Sequence, residues 1–374
     1  MDAFNVTHPY KQAIFPYLDK ISKIAKATQA VNTVIKENNQ IVGYNTDYDG
    51  FKALMEYHKV NITGKHIAIV GHGATSKTVA YYLNQHDPAS IIHFVRHVRH
   101  DHDRLLSEQN QYQHIDIIIN TTPVGMFPHT FDEPLIQFDY FPNCQVAIDV
   151  IYHPYRTSFL IEAEKHKIQT INGLYMLVMQ AVKTQELIQR KTFSQDIVKT
   201  IYQNCLLNQL NFVFIGLPLS GKTRIGKQLS KHLKWNFYDT DQMIIKHTKQ
   251  TIPYIFQTQG ETSFRKIETK MIQSLDSVRQ SVISTGGGIV LDSHNIDYLK
   301  HHGIIIYINR HLDDITYRND HQRPLIQTKA DLLQLQNKRQ HLYQTSADIE
   351  YLIDKNHPHS IERLMDIIND YFNY

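Results

Sequence analysis

The segment GLPLSGKT, at residues 216–223, fits the spacing G-x-x-x-x-G-K-[ST] and directly follows an apolar run, residues 212–215, that reads as a buried strand. Gly216, Ser220 and Gly221 belong to a loop tight enough to turn backbone N–H groups towards a phosphate chain. Lys222 would reach the β- and γ-phosphates, and the Thr223 hydroxyl would hold Mg²⁺. A Gly/Ser surface turn could carry the same letters by chance. The strand before the segment and the helical stretch after it, residues 224–234, separate the two readings. A nucleoside triphosphate is therefore the expected ligand. Downstream, FYDTD at residues 237–241 places Asp239 and Asp241 two apart at a strand end, so that both carboxylates point one way. Asp239 can assist Mg²⁺ through its water shell, and Asp241 can hold an acceptor hydroxyl and draw its proton.

A second phosphate-binding pattern lies in the first half. GHGATSK, residues 71–77, follows the apolar run HIAIV and precedes a helical stretch. Gly71 and Gly73 permit a tight turn and close approach of a pyrophosphate to a helix N-terminus that starts near Ala74. The next strand ends at Val95 and is followed by Arg96 and Arg99. An acidic residue there would take a ribose 2′-hydroxyl, whereas arginines suit a 2′-phosphate and favour NADP(H) over NAD(H). A solvated basic loop is the alternative.

These groups need a scaffold. Strand-like, β-branched runs alternate with helical stretches throughout the chain, the pattern of parallel α/β units. The 374 residues suffice for two or three domains. A polar, helix-forming stretch, residues 183–209, precedes the second half, and the boundary is expected near residues 207–211. Charged residues make up 20% of the chain and the net charge is +3, so no global field favours nucleic acid. No run approaches the length of a membrane span, and the start lacks a signal-peptide pattern. Cys144 and Cys205 lie far apart, which suggests no disulfide framework and fits a reducing cytoplasm. The 23 histidines lack metal-motif spacing, and solvated or core roles are expected for them.

Around the first glycine loop stand NVTHPYK (5–11), AVNT (30–33), GYNTD (43–47), NTTPVGM (120–126), DVIYHPYRT (149–157) and NGLYMLVMQ (172–180). Each alone could be a turn or cap. In this order they resemble the shikimate dehydrogenase family over residues 1–207. The resemblance implies a substrate-binding part at about residues 1–58 and 172–207, and an NADP-binding part between them. It makes Lys11 and Asp47 the catalytic pair, with Thr7, Asn32 and Gln180 on the substrate and Tyr152 and Gly173 near the nicotinamide. A lysine–carboxylate pair can polarise a carbonyl and relay its proton while hydride is transferred. Ala74 and Thr75 stand where the family has Gly and Ala. Family members also carry a strand and a Ser-x-Ser segment ahead of the NVT motif, and the sequence shows neither. The expectation is a first half that binds NADP(H) but turns over shikimate poorly.

After the second glycine loop come GETSFRKIE (260–268), STGGG (284–288), QRPLI (322–326) and KRQHLY (338–343). Alone, FRKIE would pass for an exposed helix with an i, i+3 ion pair, and RPLI for a loop. As a set they resemble shikimate kinase over residues 211–374. The resemblance puts Arg265 and Arg339 on the shikimate carboxylate and brings the backbone of Gly286, Gly287 and Gly288 against the substrate ring. It makes Arg323 a catalytic lid residue on the phosphates and Arg318 an adenine contact. The implied α/β fold is a Rossmann-type NADP-binding domain with a remnant substrate-binding α/β domain. A P-loop NMP-kinase-like domain with a parallel sheet follows it. The implied activity is bifunctional, reducing 3-dehydroshikimate with NADPH and phosphorylating shikimate with ATP and Mg²⁺, in the pathway to chorismate. Its partners would be these small molecules, with no nucleic acid or membrane. A kinase with an impaired dehydrogenase-like module and a nucleotide-sensing P-loop protein are the competing readings.

Overall fold

The computed structural model describes residues 2–315 and 328–372. The chain divides into two compact units, Met1–Leu206 and Leu207–Tyr374. The first unit begins with β1 (Ala3–Asn5), β2 (Lys20–Ile21), α1 (Lys23–Thr28), β3 (Thr33–Glu37), β4 (Gln40–Tyr44) and α2 (Thr46–Tyr57). Its four strands form a sheet in the order β1-β3-β4-β2. Asn38 and Asn39 join β3 to β4 with φ of 48° and 63°. Two consecutive left-handed residues make the tight turn that suits hairpin twist, and asparagine tolerates that conformation. A two-residue connection can only join antiparallel strands, so β3 and β4 pair antiparallel. The parallel pattern expected throughout therefore fails for β1–β3 and β3–β4 in this first sheet, while β2 and β4 pair parallel.

It holds in the second. β5 (His66–Val70), α3 (Ala74–Leu83), β6 (Ser90–Val95), β7 (Asp103–Leu105), β8 (Ile117–Asn120), β9 (Val146–Asp149), α4 (Ser158–Lys165) and β10 (Gln169–Ile171) follow in sequence. All strands of this sheet are parallel, in the order β10-β9-β8-β5-β6-β7. The chain runs outward from β5 to β7 and then returns to the other side at β8. That reversal opens a crevice at the carboxyl ends of β5 and β8, where ligands of such sheets bind. Each face carries an apolar core, one around Ile67, Ile69, Phe51 and Leu83, the other around Phe94, Phe138, Phe141 and Leu160.

α5 (Leu174–Gln189) and α6 (Gln195–Leu207) complete the unit. The single helical stretch expected over residues 183–209 is thus two helices. Arg190 ends α5 in the left-handed conformation with φ 52°, and Phe193 packs in the connection against Val178, Val182 and Val198. Burying that ring outweighs continuing the helix.

The second unit contains β11 (Asn211–Ile215), α7 (Lys222–Leu233), β12 (Asn236–Asp239), α8 (Thr240–Thr248), α9 (Ile252–Gln273), β13 (Ser281–Ser284), α10 (Ser293–Lys300), β14 (Gly303–Arg310), α11 (Lys329–Ser346), β15 (Ile349–Ile353) and α12 (Ile361–Tyr371). Its parallel sheet runs β12-β13-β11-β14-β15. β11 and β14 are buried on both faces, which explains their unbroken apolar sequences. Among the described residues, no helix is long and apolar enough to cross a membrane.

Candidate active sites

In the first unit, residues distant in sequence converge on one carboxylate. Asn45 caps α2 by accepting the backbone N–H of Tyr48, which sets Asp47 in the first helical turn. Lys11 Nζ donates to Asp47 Oδ2 at 2.7 Å. Asn32 Nδ2 donates to Asp47 Oδ1 at 2.9 Å, to Thr46 Oγ1 at 3.0 Å and to Gln180 Oε1 at 3.1 Å. Its own carbonyl accepts the Thr46 N–H at 2.7 Å. The segment carrying Thr7 and Lys11 is strung alongside β3, through Val6 N–H to Asn32 O and Val31 N–H to Lys11 O. Thr7 is exposed at the rim. Sequence reading missed the hydroxyl cluster beneath, where Thr33, Thr46 and Thr184 lie within 3.1–3.3 Å of one another. Nothing in the local sequence around Thr184 marks it; only the packing of α5 against α2 brings it there.

The dinucleotide loop lies at the crevice. Gly71 has φ +107°, and Gly73 is the N-cap of α3 with no side-chain cap. A Cβ at Gly73 would meet nothing within 4 Å, so the space in front of the helix N-terminus is open. This fits a pyrophosphate, which such a terminus attracts. Arg96 and Arg99 are exposed beyond β6. Tyr152 is half exposed, and the Gly173 N–H donates to Ile151 O at 2.9 Å. A Cβ at Gly173 would overlap the Val150 carbonyl, so the chain passes there only without a side chain. Asp149, fully buried, accepts from Thr157 Oγ1 at 2.7 Å and from Asn120; burial pushes its carboxyl up to about 7. Burial likewise lowers the imidazole of His72, inside the glycine loop, and of His93 on β6.

In the second unit a cavity of about 390 Å³ is lined by Lys222, Thr223, Asp239, Asp241, Arg265 and Arg339, among others. Gly221, with φ +98°, begins α7 from the left-handed region. Lys222 Nζ donates to the loop carbonyls of Gly216 and Leu217 at 2.9 and 2.8 Å. Ser220 Oγ is buried with no hydrogen-bond partner. A buried orphan hydroxyl in this glycine loop fits a phosphate. Thr223 Oγ1 donates to Asp239 Oδ2 at 2.8 Å, an oxygen pair suited to Mg²⁺.

Asp239 and Asp241 are not both on the strand, as the sequence suggested. Asp239 ends β12 and caps α8 by accepting the Gln242 N–H at 3.2 Å, and Asp241 lies in the first turn of α8. The helix N-terminus claims the first carboxylate, yet both still reach the cavity. The STGGG glycines line the same cavity and also serve packing. A Cβ on Gly287 would strike the Pro218 ring, and one on Gly288 the Arg265 guanidinium. Their absent side chains let the phosphate loop and an arginine approach the same backbone.

The FRKIE ion pair is buried, not exposed. Glu268 is 1% exposed and accepts from Arg265 Nη1 at 2.7 Å, while Glu261 takes the other terminal nitrogen at 2.9 Å. Burial raises the Glu268 carboxyl, with Arg265 opposing. Arg339 Nη1 donates to Gly287 O at 3.1 Å. Sequence reading took the i, i+3 pairing of Arg265 with Glu268 for a surface feature and gave Glu268 no place in the site. It also passed over Arg310, which ends β14 with its guanidinium 3.8 Å from the Cβ position of Gly221. Arg318 and Arg323 lie outside the described residues.

A switch-point crevice with a glycine loop and a second sheet with a phosphate loop define two nucleotide-binding α/β units in one chain. Residues 1–34 match the family model described as shikimate dehydrogenase substrate binding domain, and residues 218–369 match the one described as shikimate kinase. The chain is 38% identical over 197 residues to the shikimate dehydrogenase (NADP(+)) of Methanococcus maripaludis, covering 49% of this chain and 71% of that protein. With the shikimate dehydrogenase (NADP(+)) of Clostridium beijerinckii it shares 36% over 206 residues, covering 53% and 76%. The solved structure of shikimate dehydrogenase 1 from Peptoclostridium difficile superposes with a TM-score of 0.52 at 35% identity, covering 55% of this chain and 77% of that one. A chorismate mutase/shikimate 5-dehydrogenase fusion protein from Clostridium acetobutylicum gives 0.52 at 31%, covering 54% and 76%. The chain belongs to the shikimate dehydrogenase family, and its second unit carries a shikimate kinase domain.

Proposed function

We propose that the chain catalyses consecutive reactions: reduction of 3-dehydroshikimate to shikimate by the first unit and phosphorylation of shikimate by the second. The observation that carries this reading is the cavity where Asp241, Arg265 and Arg339 face Lys222 and Thr223. Two guanidiniums there suit a carboxylate, and a carboxylate beside the phosphate loop suits a hydroxyl. Asp241 holds that hydroxyl and takes its proton; Lys222 turns from its loop carbonyls to the phosphates; Thr223 and Asp239 hold Mg²⁺. Catalysis rests on positioning and charge stabilisation.

In the first unit Lys11 donates to the substrate oxygen and moves the proton, with Asp47 holding its ammonium in place. Asn32 and Gln180 orient the ring acid beside Asp47, and Thr7 closes its rim. NADPH, when bound along Gly71, Gly73 and Ala74, supplies the hydride. Arg96 and Arg99 take its 2′-phosphate, and Tyr152 and Gly173 flank the nicotinamide. Arg323 is the lid arginine on the phosphates and Arg318 the adenine contact. Two free cysteines, Cys144 and Cys205, fit a reducing compartment such as the cytoplasm.

The test supplies the purified chain with 3-dehydroshikimate, NADPH, ATP and Mg²⁺. Nicotinamide oxidation and ADP release should both proceed, and omitting NADPH should stop both. ADP release that ignores added shikimate would overturn the kinase reading, and absent nicotinamide oxidation the dehydrogenase one.

A further inference from the structure

Beside the dinucleotide loop, side chains from two separate stretches of the chain close on one point. His72 stands in the loop itself, while His102 and Asp103 lie at the entry to β7. The Asp103 side chain is wholly buried. Its Oδ2 accepts the backbone N–H groups of Arg99 and His100 at 2.8 and 3.0 Å, which fixes the carboxylate. Its Oδ1 is buried without a hydrogen bond, and so is His72 Nδ1. These two atoms are 3.5 Å apart, and His102 Nε2 is 3.7 Å from the same Oδ1. The three ligand atoms all lie within 4.8 Å of one another.

Such separations are too long for hydrogen bonds. A tetrahedral ion with bonds of about 2.0–2.1 Å holds its ligands about 3.3 Å apart, within a few tenths of an ångström of the two distances to Asp103 Oδ1; any pair as wide as 4.8 Å must draw together on binding. We propose that His72, His102 and Asp103 bind a divalent transition-metal ion of the zinc class. Supporting groups surround it. The His100 ring stacks on His72 and on His102, with centroids 4.8 and 5.4 Å apart. His93, held by Ser76 Oγ and Gly71 O at 3.2 Å, packs 4.8 Å from His102. These ring contacts restrain the orientation of the two imidazoles. Two imidazoles and one carboxylate select zinc over the hard ions magnesium and calcium, so the kinase's Mg²⁺ does not compete. His102 is half exposed, so water can reach the site from its side. Bound there, the ion ties the loop of Gly71 and Gly73 to the β7 edge of the sheet.

The test titrates the full chain, stripped with a chelator, with zinc chloride in a calorimeter. The parent protein should take up one equivalent that His102→Ala binds at least about tenfold more weakly. His102 is half exposed, so that variant folds; Asp103→Asn should behave alike, and magnesium chloride should give no such uptake. Cobalt(II) should show the intense visible bands of tetrahedral coordination in the parent and lose them in His102→Ala. With 23 histidines in the chain, scattered zinc uptake is expected, so the difference between proteins decides. Equal binding by parent and His102→Ala, no uptake by the parent, or octahedral cobalt spectra in both would overturn the site.

Discussion

Replacing Gly288 by alanine separates substrate grip from fold stability. Gly288 has φ −103° and ψ 1°, which alanine can adopt. The added Cβ, however, would lie 2.6 Å from Arg265 Cζ and closer still to both terminal nitrogens. Ordinary carbon contacts are about 3.5–4.0 Å, so the guanidinium must retreat by about 1 Å. It sits at the end of a flexible side chain and can move with little cost to the fold. Moving costs it the alignment now fixed by Glu268 at 2.7 Å and Glu261 at 2.9 Å. A charged hydrogen bond contributes about 1.5–3 kcal/mol, so the KM for shikimate should rise about 10- to 100-fold. The KM for ATP should stay within about twofold, because the atoms nearest the added Cβ belong to Arg265 and not to the phosphate loop. Steady-state ADP release against shikimate concentration, at saturating ATP, measures the first. A thermal melt should move by no more than a few degrees. Arg265→Ala should reproduce the effect, and the double variant should add little to it. A folded Gly288→Ala protein with the parent's KM for shikimate would refute the assignment of Arg265.

Further outcomes follow from other contacts. Asp241→Asn should leave ATP binding intact by calorimetry and slow phosphoryl transfer about 10²- to 10⁴-fold; unchanged turnover would remove Asp241 from the chemistry. Lys11→Met should leave NADP(H) binding detectable by nicotinamide fluorescence while hydride transfer drops by at least about 10²-fold, and a normal rate would exclude Lys11. His302 is 3% exposed and accepts from Arg279 at 2.7 Å, and burial lowers its imidazole to about 4. An imidazole depressed on folding gains a proton more readily when unfolded. The second unit should therefore lose stability as pH falls from about 6.5 to 4, by up to about 3 kcal/mol. Chemical denaturation across that range should show a shallower loss for His302→Asn, and parallel curves would contradict this.

The phosphate loop was legible because it is local: strand, glycine turn, lysine and helix lie within a dozen or so residues, and backbone conformation alone builds the cradle. The parallel sheets were legible for a similar reason, since strands buried on both faces must be continuously apolar. The hairpin of β3 and β4 was missed although Asn38 and Asn39 announce it. The break in the helical stretch at Arg190 was missed because burial of Phe193 decides it. Which groups are buried was decided by tertiary packing. FRKIE has the letters of a solvated ion pair, and only the close approach of α9 to the STGGG turn takes Glu268 out of water. The link between Asn32 and Gln180 spans 148 positions, and His72 meets Asp103 across a helix and a strand. Residue type and spacing set the chemistry a short segment can offer. Desolvation and the meeting of distant groups depend on how the sheets and helices pack, and these fix what each side chain does.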